Sequence, residues 1–327
     1  MQTTASVPAT PGARLMHVAR VLRDRPVLRV AAALVIPVGL SLGLRMVSSF
    51  WLLLLWPTSL AILLVIAVVK RSAFAWVAGY LLTAEIWTLL WIVAGHTSMP
   101  LQVDYAVAGD RLLGFGRLPS EWLQDLFYAG SVRPLEVTLL AVYTSFFFAH
   151  QATLFSLAFV RRGLLGPFVL AFVVATYLSL IVQFLAPTAP PWMAADLGAA
   201  PNLVRIGQET LRVIAGSAVV DGAYDSNINE VAAMPSVHIA ATVVIAIAWA
   251  RAIRGLRWVA LAYSIAMAFA LVYFAEHYLI DTIAGAGVAL VGWRVADLVF
   301  ARFPRLATGS ETPEAEPDLE VERPLAA

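Results

Sequence analysis

Glu276-His277-Tyr278-Leu279-Ile280-Asp281 opens an apolar run that continues to Phe300. A run near twenty residues is the length of helix that crosses a bilayer, so the stretch sets a membrane helix with ionisable groups at its mouth. On that helix His277 and Asp281 stand one turn apart and share a face. Gly285 follows one turn further along the same face, where a missing side chain allows another helix to come close. The candidate for that helix opens at Pro235-Ser236-Val237-His238. The chain has 5 histidines, and His238 and His277 therefore stand at the mouths of apolar runs, beside a serine and an acid.

Composition agrees. Of 327 residues, 61% are hydrophobic and 13% charged, against about 45–50% and about 25% in an ordinary soluble domain. A net charge of +1 gives no sign of a nucleic-acid partner. With no cysteine there is no disulfide, thiolate nucleophile or Cys-ligated metal,. The first apolar run starts near Arg29, is long and has no small-residue cleavage site after it, so a cleaved signal peptide is not expected.

The pattern predicts an all-α integral membrane protein with about eight spans, near 30–48, 50–69, 73–95, 135–159, 164–186, 235–251, 256–275 and 278–300. Pro37 and Pro57 fall inside spans, which packed membrane helices tolerate. Basic residues test the count. Short connections hold Lys70 and Arg71, Arg161 and Arg162, then Arg251, Arg254 and Arg257, with Arg302 and Arg305 after the last span and five arginines from Arg14 to Arg29 before the first. The opposite side holds Arg45, Arg111, Arg117, Arg133, Arg205 and Arg212, spread over longer segments. By the positive-inside rule both termini are cytoplasmic. The expected organisation is a basic cytoplasmic segment at 1–28, a polytopic domain at 29–306 and a disordered acidic cytoplasmic tail at 307–327.

Two outer segments are too long to be turns. The segment near 96–134 mixes apolar and charged residues and predicts an amphipathic helix at the interface. The segment near 187–234 opens with Pro187-Thr188-Ala189-Pro190-Pro191-Trp192, whose prolines stop the preceding helix.

In this topology His238, His277 and Asp281 fall at one depth on the extracytoplasmic side. Singly, each histidine reads as an interface residue with a satisfied hydrogen bond. Ionisable groups converging at membrane depth instead face a cavity or each other. Asp281 can accept from one imidazole nitrogen of His277, leaving the other as a nucleophile. His238 from the facing helix can serve as general acid. Ser236 lies at a helix mouth suited to an anion. The set suits phosphoryl transfer through a phosphohistidine with no metal or other cofactor. Metal-dependent hydrolysis is the competing use, and would recruit Glu230 and Glu276. A third reading, proton relay in a transporter, lacks an inverted repeat in corresponding halves.

Pro235-Ser236-Val237-His238 and His277-Tyr278-Leu279-Ile280-Asp281 resemble the second and third signature motifs of the phosphatidic acid phosphatase type 2 superfamily. The Pro187–Trp192 stretch, Glu276-His277-Tyr278 and Leu112-Leu113-Gly114…Pro119…Trp122-Leu123 resemble its inositol phosphorylceramide synthase branch. The likeness covers roughly 100–300 and implies a six-helix core preceded by two further spans. It implies His277 as the phosphate-accepting nucleophile, Asp281 as its partner and His238 as the acid. The superfamily's phosphatases also carry a Lys…Arg-Pro motif and a Ser-Arg before the last histidine. Here Ala270 and Leu271 stand in place of Ser-Arg, and no Lys…Arg-Pro pattern precedes Pro187, an absence shared with the inositol-transferring branch. Candidate substrate-binding residues are Ser236, Gln183, Pro190, Pro191, Trp192, Glu276 and Tyr278, with Arg205 and Arg212 as candidate cations for the phosphate. The expected partners are a phospholipid and a hydroxyl acceptor: an alcohol makes a transferase, the reading preferred, and water a phosphatase.

Overall fold

A computed structural model describes residues 73–200, 203–218, 220, 229–304 and 306. The expected spans at 30–48 and 50–69, the segment 1–28 and the tail 307–327 lie outside these residues. Among the described residues all regular structure is helical, apart from isolated bridges joining Thr188 to Gln102 and to Ala232.

The long helices are α1 (Phe74–Ala94), α4 (Pro134–Val160), α5 (Leu165–Leu185), α9 (Arg257–Tyr273) and α10 (Leu279–Arg302). Among the described residues five helical stretches, those of α5 and α9 counted with their leading single turns, are long and apolar enough to cross a membrane. A shorter apolar helix, α8 (Val237–Ala252, 16 residues), packs among them. The ends match the expected spans to within two residues, because local chemistry marks them. Pro134 opens α4 at a position that needs no N–H, and Glu136 accepts from the Arg133 N–H at 2.8 Å. Ser236 caps α8, its hydroxyl accepting from the Ile239 N–H at 3.4 Å,. The α5 helix stops at Leu185, just before Pro187,.

The first outer segment folds as two short helices where the sequence suggested one, α2 (Asp104–Leu113) and α3 (Pro119–Phe127). Gly114 and the proline at 119 break the run. The second outer segment carries α6 (Pro191–Asp196) and α7 (Ile206–Ala215).

Helix α8 is the centre of the bundle, packed on α4, α5, α9 and α10. Leu154, Leu157, Phe168, Phe172, Val244 and Trp293 form its core with α1 against the far side of α5. Two glycines on α10 set how near its neighbours come. A Cβ at Gly292 would lie 2.4 Å from the Ala171 carbonyl oxygen on α5, and one at Gly285 2.4 Å from the Ser236 carbonyl oxygen at the start of α8. The expected close approach at Gly285 is thus made by the expected partner. At the far end Arg251 forms two hydrogen bonds to Asp297, at 2.6 and 2.9 Å, so α8 and α10 are pinned at both ends.

Candidate active site

The mouths of α8 and α10 meet. The Ser236 N–H donates to the Asp281 carbonyl oxygen at 3.1 Å, which brings His238 and His277 together with 3.2 Å between Nδ1 of the first and Nε2 of the second. Tyr143 and Phe146 of α4 press on the His238 ring at centroid distances of 5.1 and 4.5 Å. The arginine-bearing turns at 161–162 and 254–257 lie at the opposite ends of the helices.

The tautomer of His277 follows from its neighbours. Its Nδ1 lies 2.9 Å from the carbonyl oxygen of Ala233, which can only accept,. In the neutral ring the proton therefore sits on Nδ1, and Nε2 holds the lone pair that faces His238. Asp281 stands further off, with Oδ2 at 3.4 Å from the same Nδ1. That carboxylate oxygen takes the Tyr278 N–H at 2.9 Å, while Oδ1 is buried with no protein partner. Asp281 was expected to be the acceptor that fixes the ring. A backbone carbonyl takes the shorter bond, and the carboxylate stands second at the same nitrogen.

Sequence reasoning overlooked Asp110. Tyr278, the residue before the first turn of α10, makes no side-chain bond to that turn's free N–H groups, and a carboxylate from α2 does so instead. Asp110 Oδ1 accepts from the Ile280 N–H at 2.9 Å. Asp110 is fully buried, its Oδ2 has no protein partner, and burial pushes its carboxyl up to about 6,. Gly109 beside it leaves room for Ile280: a Cβ there would lie 2.7 Å from Cδ1 of that side chain. The stretch Ala108-Gly109-Asp110 carried the signal, but only its path past α10 gives it meaning.

The model of the PAP2 superfamily matches residues 106–295, a span that holds both helix mouths. The chain belongs to the PAP2 superfamily. It is an all-helical integral membrane protein of the phosphatidic acid phosphatase type 2 kind. It is also 34% identical over 136 residues to a phosphoinositol dihydroceramide synthase of Bacteroides thetaiotaomicron. That match covers 38% of this chain and 43% of the relative, so the chain spans less than half the length of the curated protein it resembles. No solved structure matches it significantly.

Around the two histidines the other candidate residues divide. Arg205 is drawn in: its guanidinium lies 3.0 Å from Glu276 Oε1 and 3.4 Å from Glu230 Oε1, and stacks on the Trp192 ring at 3.9 Å. Glu230 and Glu276, which a metal-dependent mechanism would recruit, thus share one arginine. Among the described residues no group of three or more acids and histidines is placed around a metal position. The Trp192 backbone N–H donates to the Ala275 carbonyl at 3.1 Å, and Pro190 and Pro191 start the helix that carries it. Gln183 braces the strand of chain before Ser236, its Nε2 donating to the carbonyls of Ala232 and Pro235, each at 3.2 Å. Tyr278 is fully buried with its hydroxyl unpartnered by protein. Arg212 sits exposed in the last turn of α7.

Proposed function

We propose that this protein is a lipid phosphotransferase that works through a phosphohistidine at His277. The observation that carries the reading is the bond from His277 Nδ1 to the Ala233 carbonyl, which leaves Nε2 as a base and nucleophile facing a second imidazole,. The Nε2 lone pair attacks the phosphorus of a phospholipid and forms an N–P bond. The P–O bond to the lipid alcohol breaks as His238 gives that oxygen a proton. An acceptor hydroxyl then attacks the same phosphorus, its proton passes to His238, and the N–P bond breaks. Membership of the PAP2 superfamily favours phosphoryl chemistry over proton-coupled transport by the same three side chains.

The acceptor is an alcohol, and the group carried is a phosphoinositol or a similar phosphoryl-containing headgroup. The likeness to a protein named phosphoinositol dihydroceramide synthase supports this choice, as does the absence of the Lys…Arg-Pro and Ser-Arg residues of the phosphatases. Water in place of the alcohol gives a lipid phosphate phosphatase with the same residues, as the second reading. The site faces the extracytoplasmic side, because the arginine-rich turns stand at the other ends of its helices.

Incubating the purified protein with headgroup-labelled phospholipids, with and without candidate alcohols, tests the reading. Labelled headgroup joined to the alcohol supports a transferase, and release to water alone supports the phosphatase. For the side, single cysteines replacing Ser217 and Gly255 in the cysteine-free chain should label from outside and inside respectively. The reverse pattern overturns the orientation.

A further inference from the structure

The three most exposed large apolar side chains among the described residues are Phe115 at 96%, Leu112 at 81% and Leu126 at 72%. All three belong to the α2–α3 element, outside the spans. Trp122 joins them at 51%. Trp122 and Leu126 lie one turn apart on one edge of α3, while Asp125, between them in sequence, pairs with Arg117 on another.

Two hydrogen bonds fix the height of this element against the bundle. Asp110 of α2 accepts from Ile280 in the first turn of α10. Gln124 of α3 donates to the carbonyl of Tyr273, the last residue of α9, at 2.9 Å. So α2 and α3 lie level with the ends of two apolar spans, where hydrocarbon gives way to headgroups. Phe127 sits against Phe269 of α9 with centroids 5.7 Å apart, which packs α3 onto the side of that apolar span. The turn itself is built to hold an apolar tip outward. Phe115 adopts φ of 55° between Gly114 and Gly116, a conformation unfavourable for a bulky residue. The Gly116 N–H closes the turn on the Arg111 carbonyl at 2.7 Å, and Trp122 Nε1 ties it down through the Gly114 carbonyl at 3.2 Å. A large apolar ring is held in that backbone with 96% of it exposed, at the level of the span ends.

We propose that the α2–α3 element docks into the bilayer that holds the bundle, with Leu112, Phe115, Trp122 and Leu126 in the headgroup–acyl boundary at the active-site end. The arginine stacked on Trp122, Arg117 at 4.8 Å, lies at the polar side of that boundary, as amphipathic anchors place their cations. The docking holds Asp110 over the first turn of α10, and it stands whether or not His277 is the nucleophile.

The chain has no cysteine, so single-cysteine variants of the full-length protein read the depth directly. Phe115→Cys, Leu126→Cys and Asp125→Cys are each labelled with an environment-sensitive fluorophore in phosphatidylcholine vesicles. Nitroxide carried high on the acyl chains should quench the labels at 115 and 126 several-fold more than the label at 125, and aqueous iodide should show the opposite order. Equal iodide quenching at all three positions, with no nitroxide effect, overturns the proposal. So does a label at 115 shielded from both quenchers in protein that cross-links to a second copy through that cysteine at high lipid dilution. If a variant fails to purify as a monodisperse species, Leu112→Cys takes its place with the same two outcomes.

Discussion

Nδ1 of His277 is 2.9 Å from the Ala233 carbonyl oxygen and 3.4 Å from Asp281 Oδ2, so the main chain takes the shorter bond to the ring. A backbone carbonyl cannot turn into a donor. The ring therefore keeps its tautomer when the carboxylate is changed, and Asp281→Asn isolates the loss of charge. A unit charge near 4 Å is worth about 4 kcal/mol at an effective dielectric of 20, which caps the loss at roughly 10³-fold. Turnover by Asp281→Asn should fall within that limit, with acid-labile, base-stable protein phosphate still trapped at reduced yield. Loss as deep as that of His277→Ala would mean that the carboxylate, and not Ala233, sets the tautomer.

The two histidines should separate by leaving group. His277→Ala should show neither turnover nor trapped phosphate. His238→Ala should lose the lipid substrate yet retain cleavage of an activated aryl phosphoester, whose oxygen leaves without a proton. General acid help is typically worth about 10²–10⁴-fold, so the contrast between the two substrates is measurable. Phosphate trapped on His277→Ala would place the nucleophile elsewhere.

Gly285 and Gly287 lie on the same helix but meet different surroundings. A Cβ at 285 would lie 2.4 Å from the Ser236 carbonyl oxygen, whereas one at 287 meets nothing within 4 Å. Gly285→Ala should force the helix mouths apart, lower stability by roughly 1–3 kcal/mol and lower turnover with it. Gly287→Ala should leave both within error. Thermal unfolding in detergent and a turnover assay on the two variants decide it.

Asp110 gives the chain a pH dependence with a defined sign. Its carboxyl is raised from 3.8 to about 6 by burial. A group whose folded value is raised contributes stability that is full below the unfolded value and is lost as pH rises through the folded one. From pH 4 to pH 7 the wild type should lose on the order of 2 kcal/mol through this group. Asp110→Asn, which can still accept from the Ile280 N–H, should flatten that slope. Melting temperatures of both proteins across the range test it, and parallel slopes would show that Asp110 does not titrate there.

Much of this was legible in the chain because it depends on spacing. Run lengths fixed the spans that fall in the described residues, the i, i+4 interval joined His277 to Asp281, and the bare position at Gly285 anticipated the approach of α8. What escaped depends on the path of the chain in space. Ala233 offers only a carbonyl, which no side-chain pattern marks. Asp110 reaches Ile280 from a helix far earlier in the sequence, and Arg205 gathers Glu230 and Glu276 by a loop whose course only the fold decides. The expected single amphipathic helix became α2 and α3 because Gly114 and Pro119 outweigh the continuity of its pattern.

The shortness of α8 bears on who wins the phosphoryl group. Its 16 residues reach about 24 Å at 1.5 Å per residue, against a hydrocarbon layer near 30 Å. If the Arg251–Asp297 pair sits at the far surface, the end that bears His238 stops several ångströms short of the opposite one. The proposed phosphohistidine chemistry would then take place in a layer depleted of bulk water. On the proposed mechanism, a reaction at that depth favours an alcohol over water as the acceptor.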